Sequence, residues 1–133
     1  MKKLAVISLV LLLNGCALIN AYRMARFDNI EYALVNQIHT QAQLGVETCG
    51  TDEVYTQVDN IYFKTVELRN YSASIPRNEE TVTMTNDLYD ITKGLKDRYA
   101  SDEEVSKKYC EIKFNNIENS TGTMKKVIGA KPR

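Results

Sequence analysis

Four stretches of this chain place apolar side chains at steps of three and four residues, the spacing that lays one face of an α-helix against a neighbour. In the first, Phe27, Ile30, Leu34, Ile38 and Ala42 share a face, which predicts a helix from about Met24 to Val46, its end bracketed by Gly45 and Gly50. Thr51-Asp52-Glu53 then offers an N-cap and first-turn acids to a second helix, with Val54, Val58, Ile61, Tyr62 and Val66 as its inward stripe. That helix should stop between Asn70 and Ser72, because Ser72-Ala73-Ser74-Ile75-Pro76 joins poor helix formers to a proline that disfavours helix ahead of it. Asn78 caps a third helix, Glu79 and Glu80 sit at the positive end of its dipole, and Met84, Leu88, Ile91, Leu95 and Tyr99 form its stripe. Ser101-Asp102-Glu103-Glu104 reads as a capping box opening a fourth helix, which carries Val105, Tyr109, Ile112 and Ile117 before Ser120-Thr121-Gly122 weakens it. Connections of roughly four to seven residues are those that join antiparallel neighbours in bundles. The expected fold is all-α, a four-helix bundle-like domain. The β-branched residues between Val54 and Val66 make a strand the main alternative for the second element.

The beginning of the chain reads differently. Lys2 and Lys3 precede a run from Leu4 to Leu13 that is apolar except for Ser8, and Asn14-Gly15 leads into a cysteine. The run falls well short of the about 20 residues a spanning helix needs, so it is expected to be an export signal that is cleaved off. Leu13-Asn14-Gly15-Cys16 resembles the bacterial lipobox, which implies diacylglycerol on the Cys16 sulfur and a further acyl chain on its freed amine. An ordinary secretory signal would instead leave Cys16 as an unpaired thiol in an oxidising compartment. With several chains, each buried methylene contributing roughly 0.8 kcal/mol, anchoring is stable. Ala17 stands where an aspartate would resemble an inner-membrane retention signal, so the expected location is the outer membrane, lipid-anchored on its periplasmic side. The expected organisation is a lipoprotein signal peptide over 1–15, a lipidated N-terminus and spacer over 16–26, a helical domain over 27–124 and a flexible tail over 125–133.

Removing the first 15 of 133 residues leaves a single-domain length. Lys2 and Lys3 leave with the signal, so acidic residues then outnumber basic ones by two, and nothing calls for nucleic acid. With Cys16 assigned to lipid, Cys49 and Cys110 remain in a compartment that permits disulfides, and one bridge is the natural reading. Closing that loop would restrict the unfolded chain by roughly 4 kcal/mol in the entropy account. A metal pair or a redox couple competes weakly, since there is no CxxC spacing and the chain's single histidine, His39, is not at ligand spacing from either cysteine.

An enzyme needs convergent acids, bases or nucleophiles. His39 reads as a boundary residue of the first helix, and the glutamate pairs 79–80 and 103–104 are explained by helix starts. No phosphate-binding glycine loop, Ser-His-Asp set or metal spacing is visible, so no catalytic residue, metal or cofactor and no small-molecule substrate is expected. Eight tyrosines without a tryptophan could line a groove, but Tyr62, Tyr89 and Tyr109 are explained as well by rings packed in the core with hydroxyls at its rim.

Thr48-Cys49-Gly50 after the first amphipathic helix, Leu88-Tyr89 in the third, and Tyr109-Cys110 followed by Phe114 in the fourth resemble the helical pilotin lipoproteins of type II secretion systems. The resemblance spans roughly Phe27 to Ile117, and it departs from the family in the long stretch from Tyr89 to Cys110, with its charged insertion Lys93 to Lys108. It implies a chaperone that binds the disordered C-terminal segment of a secretin subunit and targets it to the outer membrane for channel assembly. Physically that is helix-in-groove capture by an apolar, preformed seam. The residues expected to line it are Leu34, Ile38, Val58, Ile61, Leu88, Ile91 and Leu95, which an ordinary closed core would use equally well. A phage- or plasmid-type exclusion lipoprotein that binds an outer-membrane protein, or a structural envelope lipoprotein, is the alternative.

Overall fold

The computed structural model describes residues 24–133; the expected signal segment 1–15, the expected lipid-attachment residue Cys16 and most of the expected spacer lie outside the described residues. Four helices and no strand make up what is described: α1 (Asn29–Thr48), α2 (Glu53–Ser74), α3 (Glu79–Ala100) and α4 (Lys107–Gly129). In each, the buried side chains recur at alternating steps of four and three. These are Glu31, Val35, Ile38, Ala42 and Gly45 in α1, with Leu34 buried beside Val35; Val54, Val58, Ile61, Thr65, Leu68 and Ser72 in α2; Thr81, Thr85, Leu88, Thr92 and Leu95 in α3; and Cys110, Phe114, Ile117, Thr121, Met124 and Ile128 in α4. A 3.5-residue repeat keeps one seam facing its partners along the whole helix, the packing of antiparallel bundles. The helices accordingly close into a ring, α1 against α2 and α4, and α3 against the same two.

The all-α fold is as expected, but the inward faces are rotated. Ile30, placed on the core stripe by its spacing, is 51% exposed, while its neighbour Glu31 is fully buried. Ile112 is 49% exposed, and the flanking residues Tyr62, Val66, Met84 and Ile91 are half-buried. Threonines take the seam instead. Four of them return the hydroxyl hydrogen to their own helix, Thr65 to the Ile61 carbonyl and Thr121 to the Ile117 carbonyl at 2.8 Å, Thr85 to Val82 at 2.8 Å and Thr92 to Tyr89 at 3.1 Å. With the hydroxyl satisfied locally, the methyl packs as a small hydrophobe.

Helix boundaries move for identifiable reasons. α1 begins at Asn29, not Met24, because the Asp28 carboxylate accepts the Ile30 and Glu31 N–H groups at 2.9 Å and so fixes the first turn. Residues 24–28 run extended across the end of the bundle, the Ala25 N–H donating to the Arg77 carbonyl at 2.9 Å and the Phe27 N–H to the Pro132 carbonyl at 2.8 Å. α2 continues to Ser74, and Asp52 precedes it with helical backbone and no side-chain cap bond. Ser101 closes α3 instead of opening α4, since its hydroxyl donates to the Arg98 carbonyl at 2.8 Å and Arg98 pairs with Glu103. The N-cap of α4 is Ser106, which accepts the Tyr109 N–H at 3.2 Å. That helix then runs through Ser120-Thr121-Gly122, held there by buried Thr121 and Met124, so 125–129 form its last turns in place of a frayed tail.

Cys49 and Cys110 form a disulfide, Cα–Cα 5.8 Å, that closes a 61-residue separation and joins the end of α1 to the start of α4. One turn away Gly45, inside α1 and not at its end as its type suggested, meets the fully buried ring of Phe114. A Cβ on Gly45 would lie 2.2 Å from that ring. Gly45 is therefore what lets the two helices approach closely enough for the bridge. Gly45→Ala is expected to destabilise the domain by about 1–3 kcal/mol through overpacking, read as a lower urea midpoint, and Gly45→Ala with Phe114→Leu to recover part of that loss. An unchanged midpoint for the single variant would contradict the close approach.

Candidate functional site

A bundle can receive a partner only where its ring is incomplete. The interface between α3 and α4 is the thinnest of the four. A cleft of about 200 Å³ opens there, lined by Met84, Asp87 and Leu88 from α3 and Ser120, Thr123 and Met124 from α4. Leu88 and Met124, both 1% exposed, form its floor, and half-buried Met84 flanks it. Two of the chain's four methionines line this one cleft. An unbranched, polarisable thioether repacks around varied apolar side chains at low cost, which suits a surface that accepts a peptide.

Of the seven residues expected to line an open groove, only Leu88 reaches this cleft. Leu34, Ile38, Val58, Ile61 and Leu95 are buried in the closed core, and Ile91 is half-buried against it. Their burial has a simple cause. A 3.5-residue repeat in all four helices fills the centre from every side, so any opening lies between helices at the rim and not along the central stripe. Met124 and Thr123 escaped the sequence reading because α4 was expected to weaken at Ser120. Continuing the Phe114, Ile117, Thr121 spacing by one step would have found Met124.

The other prominent surface is the outer face of α2 and α3, where Phe63 is the most exposed large apolar residue. Its rings already have partners. Lys96 Nζ lies 4.9 Å from the Tyr62 ring centroid and 4.8 Å from that of Phe63, and the Arg69 guanidinium 4.5 Å from that of Tyr89. Hydrogen bonding to Tyr89, then burial, raises the Tyr62 hydroxyl above its ordinary pKa. His39 is structural. Its Nδ1 lies 3.1 Å from the Glu118 carbonyl, which can only accept, so the tautomer protonated at Nδ1 fits, and the ring links α1 to α4. Among the described residues no group of three or more His, Cys, Asp or Glu side chains could hold a metal ion.

The end of the bundle opposite the disulfide contains a buried polar cluster that spacing alone did not reveal. Lys131 Nζ donates to Glu31 at 2.7 Å and to the Asn78 side-chain oxygen at 2.5 Å. The Asn78 amide in turn donates to Glu31 at 2.6 Å and to the Ser72 carbonyl at 3.0 Å. Asn78 thus spends its side chain here and makes no cap bond to α3. Above it the Tyr71 hydroxyl donates to the Asp28 carboxylate at 3.1 Å. Burial first, and that carboxylate second, raise the Tyr71 pKa. This cluster ties together the strap over 24–28, the α2–α3 turn and the residues after α4. No family model, no curated protein and no solved structure matches the chain.

Removing one member of a buried ion pair strands the other charge in a low-dielectric site. Lys131→Met is expected to cost about 3–5 kcal/mol of unfolding free energy, and the double variant Glu31→Leu with Lys131→Met to recover most of it. Denaturant titration decides; a single-variant loss below about 1 kcal/mol, the range of an exposed pair, would mean that the pair does not hold this end together.

Proposed function

We propose that this chain is a lipid-tethered helical adaptor of the pilotin kind, which captures the disordered C-terminal segment of a type II secretion secretin subunit and carries it to the outer membrane for channel assembly. The observation that carries the reading is the α3–α4 cleft, the thin interface with an apolar floor at Leu88 and Met124 and a methionine on its flank. A disordered segment loses conformational entropy on binding, so its receptor must be rigid and its anchor site apolar. Both conditions are supported here. The disulfide and the Glu31–Lys131 pair fasten α1 to α4 at both ends, and the cleft admits an apolar anchor from an amphipathic helix laid along the seam. The tether is supported by Leu13-Asn14-Gly15-Cys16, and no helix among the described residues is long and apolar enough to cross a membrane by itself.

The test mixes the domain begun at Ala17, which carries the complete core drawn from the four helices and Cys49, with synthetic C-terminal peptides of type II secretins. Micromolar binding with a gain of helical signal is expected. Thr123→Arg, at an exposed position of the cleft, should weaken it at least tenfold while leaving the melting temperature within a few degrees. Absence of binding by every such peptide would remove the reading, and binding indifferent to Thr123→Arg would move the site elsewhere.

A further inference from the structure

We propose that the end of the bundle carrying the strap, the α2–α3 turn and the C-terminal residues docks on an anionic phospholipid surface, with Arg26, Arg77 and Arg133 taking headgroup phosphates. The inference rests on the lipid tether of the proposed function and adds to it a second, protein-borne contact that orients the domain.

A cleft of about 400 Å³ lies at this end, and the three arginines line it together with Phe27, Ile75 and Pro76. The Arg133 guanidinium sits 5.2 Å from the Phe27 ring centroid, which holds one of the cations at the site. The acid among the lining residues is already engaged: Asp28 accepts two backbone N–H groups and the Tyr71 hydroxyl. Glu31 is buried against Lys131, and Glu79 and Glu80 line a neighbouring hollow that Arg77 also lines. Guanidinium groups match phosphate oxygens in a two-pronged geometry that an ammonium cannot supply.

Two further observations select a lipid surface over a free phosphate ion. Met24 and Ile30, exposed apolar residues, flank the same end, and apolar side chains beside basic ones suit the headgroup and acyl boundary. The chain also leads there. From Cys16 to Met24 the backbone spans at most about 28 Å fully extended, so the lipid holds this end near the bilayer. The helices reach about 33 Å to the other end, where Asp52, Glu53, Asp102, Glu103 and Glu104 outnumber Lys107 and Lys108, a balance that an anionic surface repels.

The experiment uses the domain begun at Ala17, without acyl chains, sedimented with vesicles of phosphatidylglycerol in phosphatidylcholine and with vesicles of phosphatidylcholine alone. Partition onto the anionic vesicles only, weakened by added salt, is expected. Arg26→Gln, Arg77→Gly and Arg133→Gln should each lower it about fivefold. Glycine is chosen at 77 because φ there is +61° and the change relieves the backbone while removing the charge. Lys107→Gln at the far end should leave partition unchanged. Equal partition onto neutral vesicles, or an unchanged partition in the triple arginine variant, would overturn the proposal. So would inorganic phosphate protecting the domain against thermal unfolding while anionic vesicles bind no better than neutral ones, since the site would then serve a free anion. Peptide capture is measured without membranes and acylation by palmitate labelling, so failure of either leaves this result separately readable.

Discussion

A lysine and a glutamate buried beside one another at the end of a small bundle demand each other. Taking either charge out of water costs several kcal/mol, and only the opposite charge at 2.7 Å, with the Asn78 side chain bonded to both, offsets that cost. Because Glu31 belongs to α1, Asn78 to the α2–α3 turn and Lys131 to the residues after α4, this one cluster decides where three separate pieces of chain meet. The strap follows from it, its backbone bonded to Arg77 on one side and Pro132 on the other. At the opposite end the disulfide and the close contact of Gly45 with Phe114 fasten α1 to α4 again. The pair α1–α4 is thus clamped at both ends, while α3 is held to α4 by its thinnest interface, with Asn78 as the polar link at one end. The seam that opens most easily is the one that carries the methionine-lined cleft, and local opening draws on the least fastened contacts.

The helical character of all four segments could be read from apolar spacing, and the cysteine pairing from the cysteine count and the compartment that the first residues lead one to expect. The register of the helices could not. A search that admits only apolar residues to the core reads Met84, Leu88, Ile91 and Leu95, whereas the seam runs Thr81, Thr85, Leu88, Thr92 and Leu95. Threonine is ambiguous in sequence because its methyl is buried at low cost where its hydroxyl finds a backbone carbonyl one turn back, as at Thr85 and Thr92, and that is a fact of the folded helix. Glu31 is harder still. Its burial depends on Lys131, at the other end of the chain, and no local pattern carries the pairing. Ser101 is ambiguous for a related reason: a serine followed by acids satisfies the capping pattern, yet the same hydroxyl can terminate the preceding helix, and Arg98 tips the balance.

Groove and core were also hard to separate in advance, since both use apolar residues at helical spacing. Six of the seven expected groove residues lie on the seam that fills the centre, and Ile91 flanks it. What remains for recognition is the rim, where Met84, Thr123 and Met124 combine apolar floor with polar edge. The two ends also differ in charge: three arginines line the cleft at the strap end, and carboxylates predominate beside the disulfide. A domain tethered through the strap end would stand with its acidic end away from the bilayer and its α3–α4 seam running outward, open to a polypeptide arriving from the periplasmic side.

Orientation on the membrane is the point at which tether, strap and charge must agree, and depth-dependent quenching measures it directly. The acylated protein is reconstituted in bilayers containing a headgroup-borne quencher, with a fluorophore attached at Glu79 in one sample and at Asp102 in another. The account predicts strong quenching at position 79 and little at position 102, separated by about 33 Å of helix. Equal quenching at both positions, or the reverse order, would contradict a domain held upright by its strap end, and no quenching at either would contradict the tether itself.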